Sequence, residues 1–554
     1  MTFLRLPVDI TSWYVIIKSA VRLTKNTEIF PMKELVFSEL TTEQKLGLVT
    51  IGFLHPNCKE DEIDYIIELI KNHSIGAVWV DDRRHMDRIK EAADYPILIM
   101  TDAEDGIGGF NVGRHNAIAQ TGSEELAYVF GKVTALEARR LGYNVICNPV
   151  LDMTVTNAVC GMNTRSLGHD KVEVTKFARQ IARGMHDCGV LTVGKHYPGT
   201  AENDSYLDSH MAETESHLSR EELIENNLYP YIKLNEEGLL DGIMTKHGRF
   251  VEVDPDYPTS LSRKVIGLIR EAGFDGFSLT DALTMHGVTS KFGKDGCIPL
   301  SVGNGNDLAL AFNFDNRFSM NAMKNGYEDG VISDERLDEA VRRILEAQHK
   351  TLAEPKFTEL TDEDIKDFER LQTDGIYAVT DEGLDCTISK DGKHFFVILT
   401  DHETNLNTED KLALDTFSHF WHSPADIANR IRERFPNSGI TTLAQFPTIS
   451  NNMAVMSAQY DYDDVVFVSF FFGRPCMGRE CLTSRVLTVL DSLQVTNRIS
   501  AVVHCGNPFV LEDFPHVPRI IVGPGSKRAT LTTIDVLAGE YPAKGKPVYD
   551  VKLK

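Results

Sequence analysis

Long apolar runs are missing from this sequence. Near the start, the run Trp13 to Ile17 is far too short to cross a bilayer, and no small-residue cleavage site follows it. Neither a transmembrane helix nor a signal peptide is expected, and no membrane partner. Cysteine is sparse: nine residues, an odd number, without a C-x-x-C pair. That pattern reads as reduced thiols in a cytoplasmic protein. Signatures for metals and nucleotides are absent too. There is no H-E-x-x-H, no cluster of cysteine ligands and no G-x-x-x-x-G-K-[ST], and "GNGND" at 303–307 is too short to count. No metal or organic cofactor is therefore expected. Positive charge is in deficit, with 57 Lys and Arg against 81 Asp and Glu and a net charge of -24. A nucleic-acid partner, which needs basic stripes, is disfavoured. An anionic small ligand is still allowed, because one site can be locally positive on an acidic protein.

What remains is a long mixed chain without repeats or low-complexity tracts. Its 554 residues exceed one ordinary domain, and 42% hydrophobic with 25% charged content belongs to a globular protein. Residues 1–36 read as a loosely attached or disordered extension, since regular amphipathic patterning opens only at Met32. From Leu46 short β-rich runs alternate with helical stretches. The runs are "LGLVTIGFL", "IGAVWV", "PILIMTD", "YNVICNPVLDM", "GVLTVGKH", "DGIMTKH", "FDGFSLTD" and "NDLALAF". Stretches such as "EELAYVFGKVTALEARRLG" carry apolar residues at three-to-four spacing. Continuous apolar strands between amphipathic helices predict a parallel sheet buried on both faces. About eight such units fit a (β/α)8 TIM-type barrel, placed at 37–352. A charged linker is expected at 353–385. A smaller α/β sandwich domain is expected at 386–554, from "HFFVILT", "VVFVSFFF", "ISAVVHCG" and "RIIVGPG".

In such a barrel the active site lies at the carboxyl ends of the strands. Here those ends are Asp102, Asp152, the pair Lys195 and His196, the pair Lys246 and His247, and Asp281. Charged groups gathered on one rim must be paired or desolvated at a cost. Carboxylates accept from vicinal hydroxyls, and Lys and Arg donate to others, so the set suits a polyhydroxylated ligand. Asp152 also fits a plain turn cap, His247 a satisfied rim histidine, and Lys195 a partner of a neighbouring carboxylate. Asp281 directly follows a buried strand, where an idle carboxylate would be costly.

The stretches "GKHYPG", "DSH", "NPVLDM…NTRSLG" and "TSLSRKVIGLIREAGFDGFSLTDALTMHGV" resemble family 3 glycoside hydrolases, more narrowly their β-N-acetylglucosaminidase branch. "AVVHCGNPFVLEDF" and "VLAGEYPAKGKPV" resemble that family's second domain. The resemblance implies a retaining mechanism. In it Asp281 matches the nucleophile, and Asp208 with His210 matches an acid/base dyad on a mobile loop. Asp102, Arg165, Lys195, His196 and His247 match positions that bind the terminal sugar. A histidine suits the acid/base task, because its unperturbed pKa is about 6.5. Asp208 would fix its tautomer, as an Asp does in a hydrolase triad.

The sequence departs from the family pattern in three places. The segment from Pro198 to Asp208 is longer than usual, Asp105 stands where a glycine is expected, and the arginine that often follows is missing. The leading expectation is an exo-β-N-acetylglucosaminidase acting on a small carbohydrate, such as cell-wall fragments recycled in the cytosol. A phosphorylase would use the same residues with a phosphate acceptor. A β-glucosidase fits less well, given the Asp-x-His pair. A Schiff-base enzyme on Lys195 or Lys246 would leave Asp281 and the dyad without a task. A non-catalytic sugar-binding protein is the third class.

Overall fold

The structure is a computed structural model that describes residues 32–154, 162–200, 207–400, 423–471, 476 and 479–554. Most of the expected N-terminal extension lies outside the described residues, as does most of the long segment between Pro198 and Asp208.

Seven parallel strands curl into one sheet in chain order: β1 (Ile51–Leu54), β2 (Ala77–Val80), β3 (Leu98–Thr101), β4 (Val145–Ile146), β5 (Leu191–Tyr197), β6 (Gly242–Thr245) and β7 (Phe277–Thr280). The eighth station is reduced to two parallel bridges, Leu308 to Leu279 and Ala309 to Thr50. Backbone bonds from Leu308 N–H to Ser278 O and from Ala309 N–H to Val49 O close the barrel. Alternation along each strand explains the apolar runs. Ile51, Phe53, Ala77, Trp79, Leu98 and Met100 fill the barrel interior. Leu54, Val78, Val80 and Ile99 pack outward under the helices. Both faces are buried, so neither needs polar residues.

Local chemistry sets the helices around this sheet. Helix Glu124–Leu141 begins where the Ser123 hydroxyl accepts from Leu126 N–H, and it ends at Gly142 in the left-handed region, φ 107°. Helix Lys171–Asp187 begins at Asp170, whose carboxylate takes two backbone N–H groups. The two helices meet through glycines. A Cβ on Gly131 would lie 2.1 Å from Ile181 O, so only glycine permits this approach.

At the amino end of the last station, "GNGND" has a structural task that centres on Asp307. Asp307 is fully buried and pairs with Arg270 at 2.9 Å, Arg343 at 3.3 Å and Arg336. It also accepts from Ser278 N–H at 2.9 Å. Removing one partner of a buried charge cluster costs about 3–5 kcal/mol. Asp307→Ala is thus expected to lower unfolding stability by about that much, measured by urea denaturation. A loss below about 1 kcal/mol, the scale of an exposed pair, would mean that water already screens the cluster.

The second sheet starts inside the stretch expected to be a linker. β8 (Tyr377–Thr380) runs antiparallel to β13 (Arg519–Gly523) at one edge. The other neighbours are parallel, in the order β8-β13-β12-β11-β9-β10. Here β9 is His394–Thr400, β10 Gly439–Ala444, β11 Asp464–Phe471 and β12 Ile499–Gly506. Helix Asp362–Leu371, also in the expected linker, packs on the barrel. Lys132 Nζ donates to Asp364 at 2.8 Å, and Phe368 meets Phe110 with centroids 5.3 Å apart. The linker is therefore a structured bracket between the two sheets. Beyond the second sheet the chain returns to the barrel. Tyr549 Oη donates to Ser166 O at 2.7 Å, His169 N–H to Val548 O at 3.2 Å, and Lys546 N–H to Gln120 O at 2.8 Å.

Candidate active site

The rim groups form two linked sets. In the first, Lys195 on β5 is 1% exposed, and its ammonium reaches Asp102 at 2.5 Å and Glu104 at 2.6 Å. Burial alone would push the lysine down, but the two carboxylates more than reverse this and hold it charged. Glu104 also accepts a forked pair from Arg165, at 2.5 and 2.8 Å. Burial pushes the Glu104 carboxyl up, and Arg165 with Lys195 drives it well below the usual range. The Arg165 guanidinium also lies 3.1 Å from His196 Nε2. Arginine can only donate, so Nε2 accepts and Nδ1 carries the ring proton. That proton goes to Asp152 Oδ2 at 2.7 Å.

Asp152 does more than cap a turn. It also accepts from His196 N–H at 2.8 Å and from the Thr200 hydroxyl at 2.6 Å. Burial raises its carboxyl, and His196 reverses that, so it stays ionised. Asp102, Arg165, Lys195 and His196 are thus brought together, with Glu104 and Asp152 holding them in register. In the altered "TDAEDGIGG" loop, Asp105 meets Arg114 at 3.2 Å. Burial pushes the Asp105 carboxyl up to about 6 against the pull of that arginine.

The second set surrounds Asp281, half-buried directly after β7. Its N–H is tied to Thr245 O at 2.9 Å, and its Oδ1 accepts from Ala282 N–H at 2.7 Å. Burial raises its carboxyl. Electrostatic attraction from His196 and His247, the Ala282 N–H and attraction from His210 then bring it below the usual value. Both sets share one space. The buried Cys147 thiol, inside the barrel, feels Lys195, Asp102, Asp281 and Glu104 together. His247, expected to touch the sugar, has no exposed surface. It donates from Nε2 to Ala282 O at 2.9 Å and accepts the Ser260 hydroxyl at Nδ1, 2.8 Å away. Its place is beneath the segment that follows Asp281.

Asp208 and His210 sit on the loop after β5. Asp208 Oδ1 accepts from His210 N–H at 2.9 Å and from ring Nδ1 at 2.6 Å. The imidazole is 35% exposed, and its Nε2 has no hydrogen-bond partner among the described residues. The loop is docked against the segment that follows Asp281. Gly287 N–H donates to Ser209 O at 2.9 Å and His286 N–H to His210 O at 3.2 Å. A Cβ on Gly287 would lie 2.6 Å from Ser209 O, which explains the glycine in "TMHGV".

Sequence reasoning missed an aromatic wall on the side of β1, β2 and the eighth station. Phe53 stacks near Phe312 with centroids 4.2 Å apart, and His55 on Phe314 at 4.9 Å. Phe314 is 46% exposed. Trp79 Nε1–H donates to Asp81 at 3.0 Å. Burial pushes the Asp81 carboxyl up, Trp79 pulls it back, and the charge of Asp102 adds to the rise. Phe53 and Trp79 are buried in the barrel interior, and Phe314 is the exposed end of this wall. The signal for it was only the scattered aromatics in "GFLH", "VWVD" and "AFNF".

A carboxylate thus stands directly beyond a barrel strand, with an imidazole on a docked loop beside its segment and a rim of paired charged groups. Residues 54–347 match the family model described as "Glycosyl hydrolase family 3 N terminal domain", and the chain belongs to this family of glycoside hydrolases. A protein named beta-hexosaminidase from Tolumonas auensis is 30% identical over 283 residues, covering 47% of this chain and 82% of that one. One named beta-N-acetylglucosaminidase/beta-glucosidase from Cellulomonas fimi is 27% identical, covering 56% of this chain and 57% of that one. Among solved structures, a family 3 β-N-acetylglucosaminidase from a Paenibacillus species superposes with a TM-score of 0.75 at 23% identity, covering 93% of this chain and 100% of that one. A β-glucoside phosphorylase gives the same TM-score and identity, covering 93% and 94%. At such identity these likenesses speak for the fold: a TIM-like barrel followed by an α/β sandwich domain.

Proposed function

We propose that the chain is a retaining exo-β-N-acetylglucosaminidase that releases terminal N-acetylglucosamine from small glycosides, such as cell-wall fragments in the cytoplasm. The observation that carries this reading is the Asp208–His210 pair, with Nδ1 engaged, Nε2 open and the loop docked beside Asp281. Asp102, Arg165, Lys195 and His196 hold the terminal sugar. Asp281 attacks the anomeric carbon as the bond to the leaving oxygen breaks. The Nε2–H of the imidazolium gives its proton to that oxygen, and a glycosyl ester on Asp281 results. The ring is then neutral with its proton still on Nδ1, so Nε2 accepts a proton from water as water attacks the ester. Asp208 fixes the tautomer needed in both steps. The names of the relatives from Tolumonas auensis and Cellulomonas fimi support the choice of sugar.

A second reading replaces water with phosphate. It is favoured by the dyad itself, since a neutral imidazole repels an incoming anion less than a carboxylate base would. One experiment separates the two. With N,N′-diacetylchitobiose, hydrolysis is expected to give two equivalents of N-acetylglucosamine at a rate independent of added phosphate, with the β anomer formed first. Accumulation of the sugar 1-phosphate would replace hydrolysis by phosphorolysis. No turnover of this substrate or of 4-nitrophenyl N-acetyl-β-glucosaminide would remove the proposed sugar.

A further inference from the structure

Asp208 has two oxygens, and the dyad uses only one of them. Oδ1 takes both contacts from His210. Oδ2 accepts from the backbone N–H of Cys476 at 2.7 Å, a contact between residues 268 positions apart. Cys476 does not belong to the barrel. It lies beyond the carboxyl end of β11, in the second sheet. The described residues after it are tied to that sheet's own segments: Asn507 Nδ2 donates to Glu480 at 3.0 Å, and Leu482 N–H to Asp513 at 2.8 Å. Cys476 also has φ 69°, a left-handed conformation that glycine adopts more readily. The terminal torsion of a carboxylate is intrinsically broad and roughly two-fold, so the bonds to its oxygens decide its orientation. Held through both, it cannot turn without breaking a bond. Burial raises the Asp208 carboxyl, while the His210 side chain and then the Cys476 N–H bring it below its ordinary value.

We infer that the Cys476 backbone N–H is a positioning group supplied by the second domain, which locks the Asp208 carboxylate in the orientation that directs His210 toward the scissile oxygen. This rests on the acid/base reading given above. Cys476 touches no reacting atom and acts only through Asp208.

The test uses the full chain, with N,N′-diacetylchitobiose as a poor leaving group and 2,4-dinitrophenyl N-acetyl-β-glucosaminide as a good one. Cys476→Pro deletes the N–H and cannot take a positive φ. It is expected to cut chitobiose turnover about tenfold or more, a share of the about 10²–10⁴-fold that general acid catalysis supplies. The first step with the dinitrophenyl glycoside should change little. Cys476→Gly keeps both the N–H and the conformation and should restore the original selectivity. In an Asp208→Ala background the proline substitution should cost nothing further, because its only route of action is gone. An equal loss in that background, or no loss in the parent, overturns the inference.

If the proline variant fails to fold, N-ethylmaleimide replaces it. Cys476 is exposed, and a bulky adduct there should produce the same selective loss in the parent, absent from Cys476→Gly. An adduct at Cys476 without selective loss also overturns the inference. His210→Ala, run in parallel, reports on the acid/base reading itself. If it shows selectivity and the Cys476 variants do not, only the inference falls. If it shows none, both fall.

Discussion

Asp281→Asn is expected to lower turnover by several orders of magnitude and leave the fold intact. The substitution preserves shape and removes the negative charge. The carboxylate stands directly after β7, with its backbone fixed to Thr245 O and its Oδ1 fed by Ala282 N–H. An asparagine oxygen can still accept that bond, so the segment loses no structural partner. What disappears is the anion that the surrounding histidines favour. Without it no glycosyl ester forms, and the oxocarbenium-like centre loses its nearest counter-charge. Steady-state rates on 4-nitrophenyl N-acetyl-β-glucosaminide measure the loss, and an unchanged melting temperature shows that the fold survives. A 5-fluoro glycosyl inhibitor should label Asp281 in a peptide map of the parent. Label on another carboxylate would transfer the role elsewhere.

His210→Ala should damage substrates according to their leaving group. A sugar alkoxide needs its oxygen protonated as the bond breaks, and a dinitrophenolate does not. General acid assistance contributes about 10²–10⁴-fold, so the loss with N,N′-diacetylchitobiose should fall in that range. The first step with the dinitrophenyl glycoside should lose far less. Asp208→Ala should follow the same pattern more weakly, since it orients the ring and carries no proton to the substrate. The open Nε2 is the structural basis of this expectation. Were His210 only a loop residue, its backbone bond from His286 would survive the substitution, and both substrates would decline together or neither would. Equal losses would therefore end the acid/base assignment.

The parts of the site that the sequence revealed are those written locally. An apolar run ending in a polar residue marks a strand and its mouth at once, and so Asp102, Lys195 and Asp281 could be placed. The roles of Glu104 and Asp152 were hidden, because each is set by partners far along the chain: Arg165 and Lys195 for one, His196 and Thr200 for the other. His247 shows the opposite limit. A residue just past a strand end can turn toward the pocket or back beneath the rim, and the pattern does not say which. The aromatic wall draws one or two residues from each of three stations around the barrel closure, so no one segment carries its signature. The second domain began earlier than expected, because "YAVT" is a four-residue edge strand beside a charged helix and offers little periodicity to read. The contact of Cys476 with Asp208 is invisible to any local rule.

The return of the chain to the barrel has a consequence for the order of events during synthesis. Ser166, next to Arg165, is held by Tyr549, and His169 by the Val548 carbonyl. All eight barrel stations leave the ribosome well before those two residues are made. At about 5–20 residues per second the gap is on the order of tens of seconds. During that interval a nascent barrel can close around its own strands, yet the loop that presents Arg165 still lacks its outer brace. The brace on the Ser166–His169 segment is therefore added only once translation has passed Tyr549, after the barrel strands have all been made.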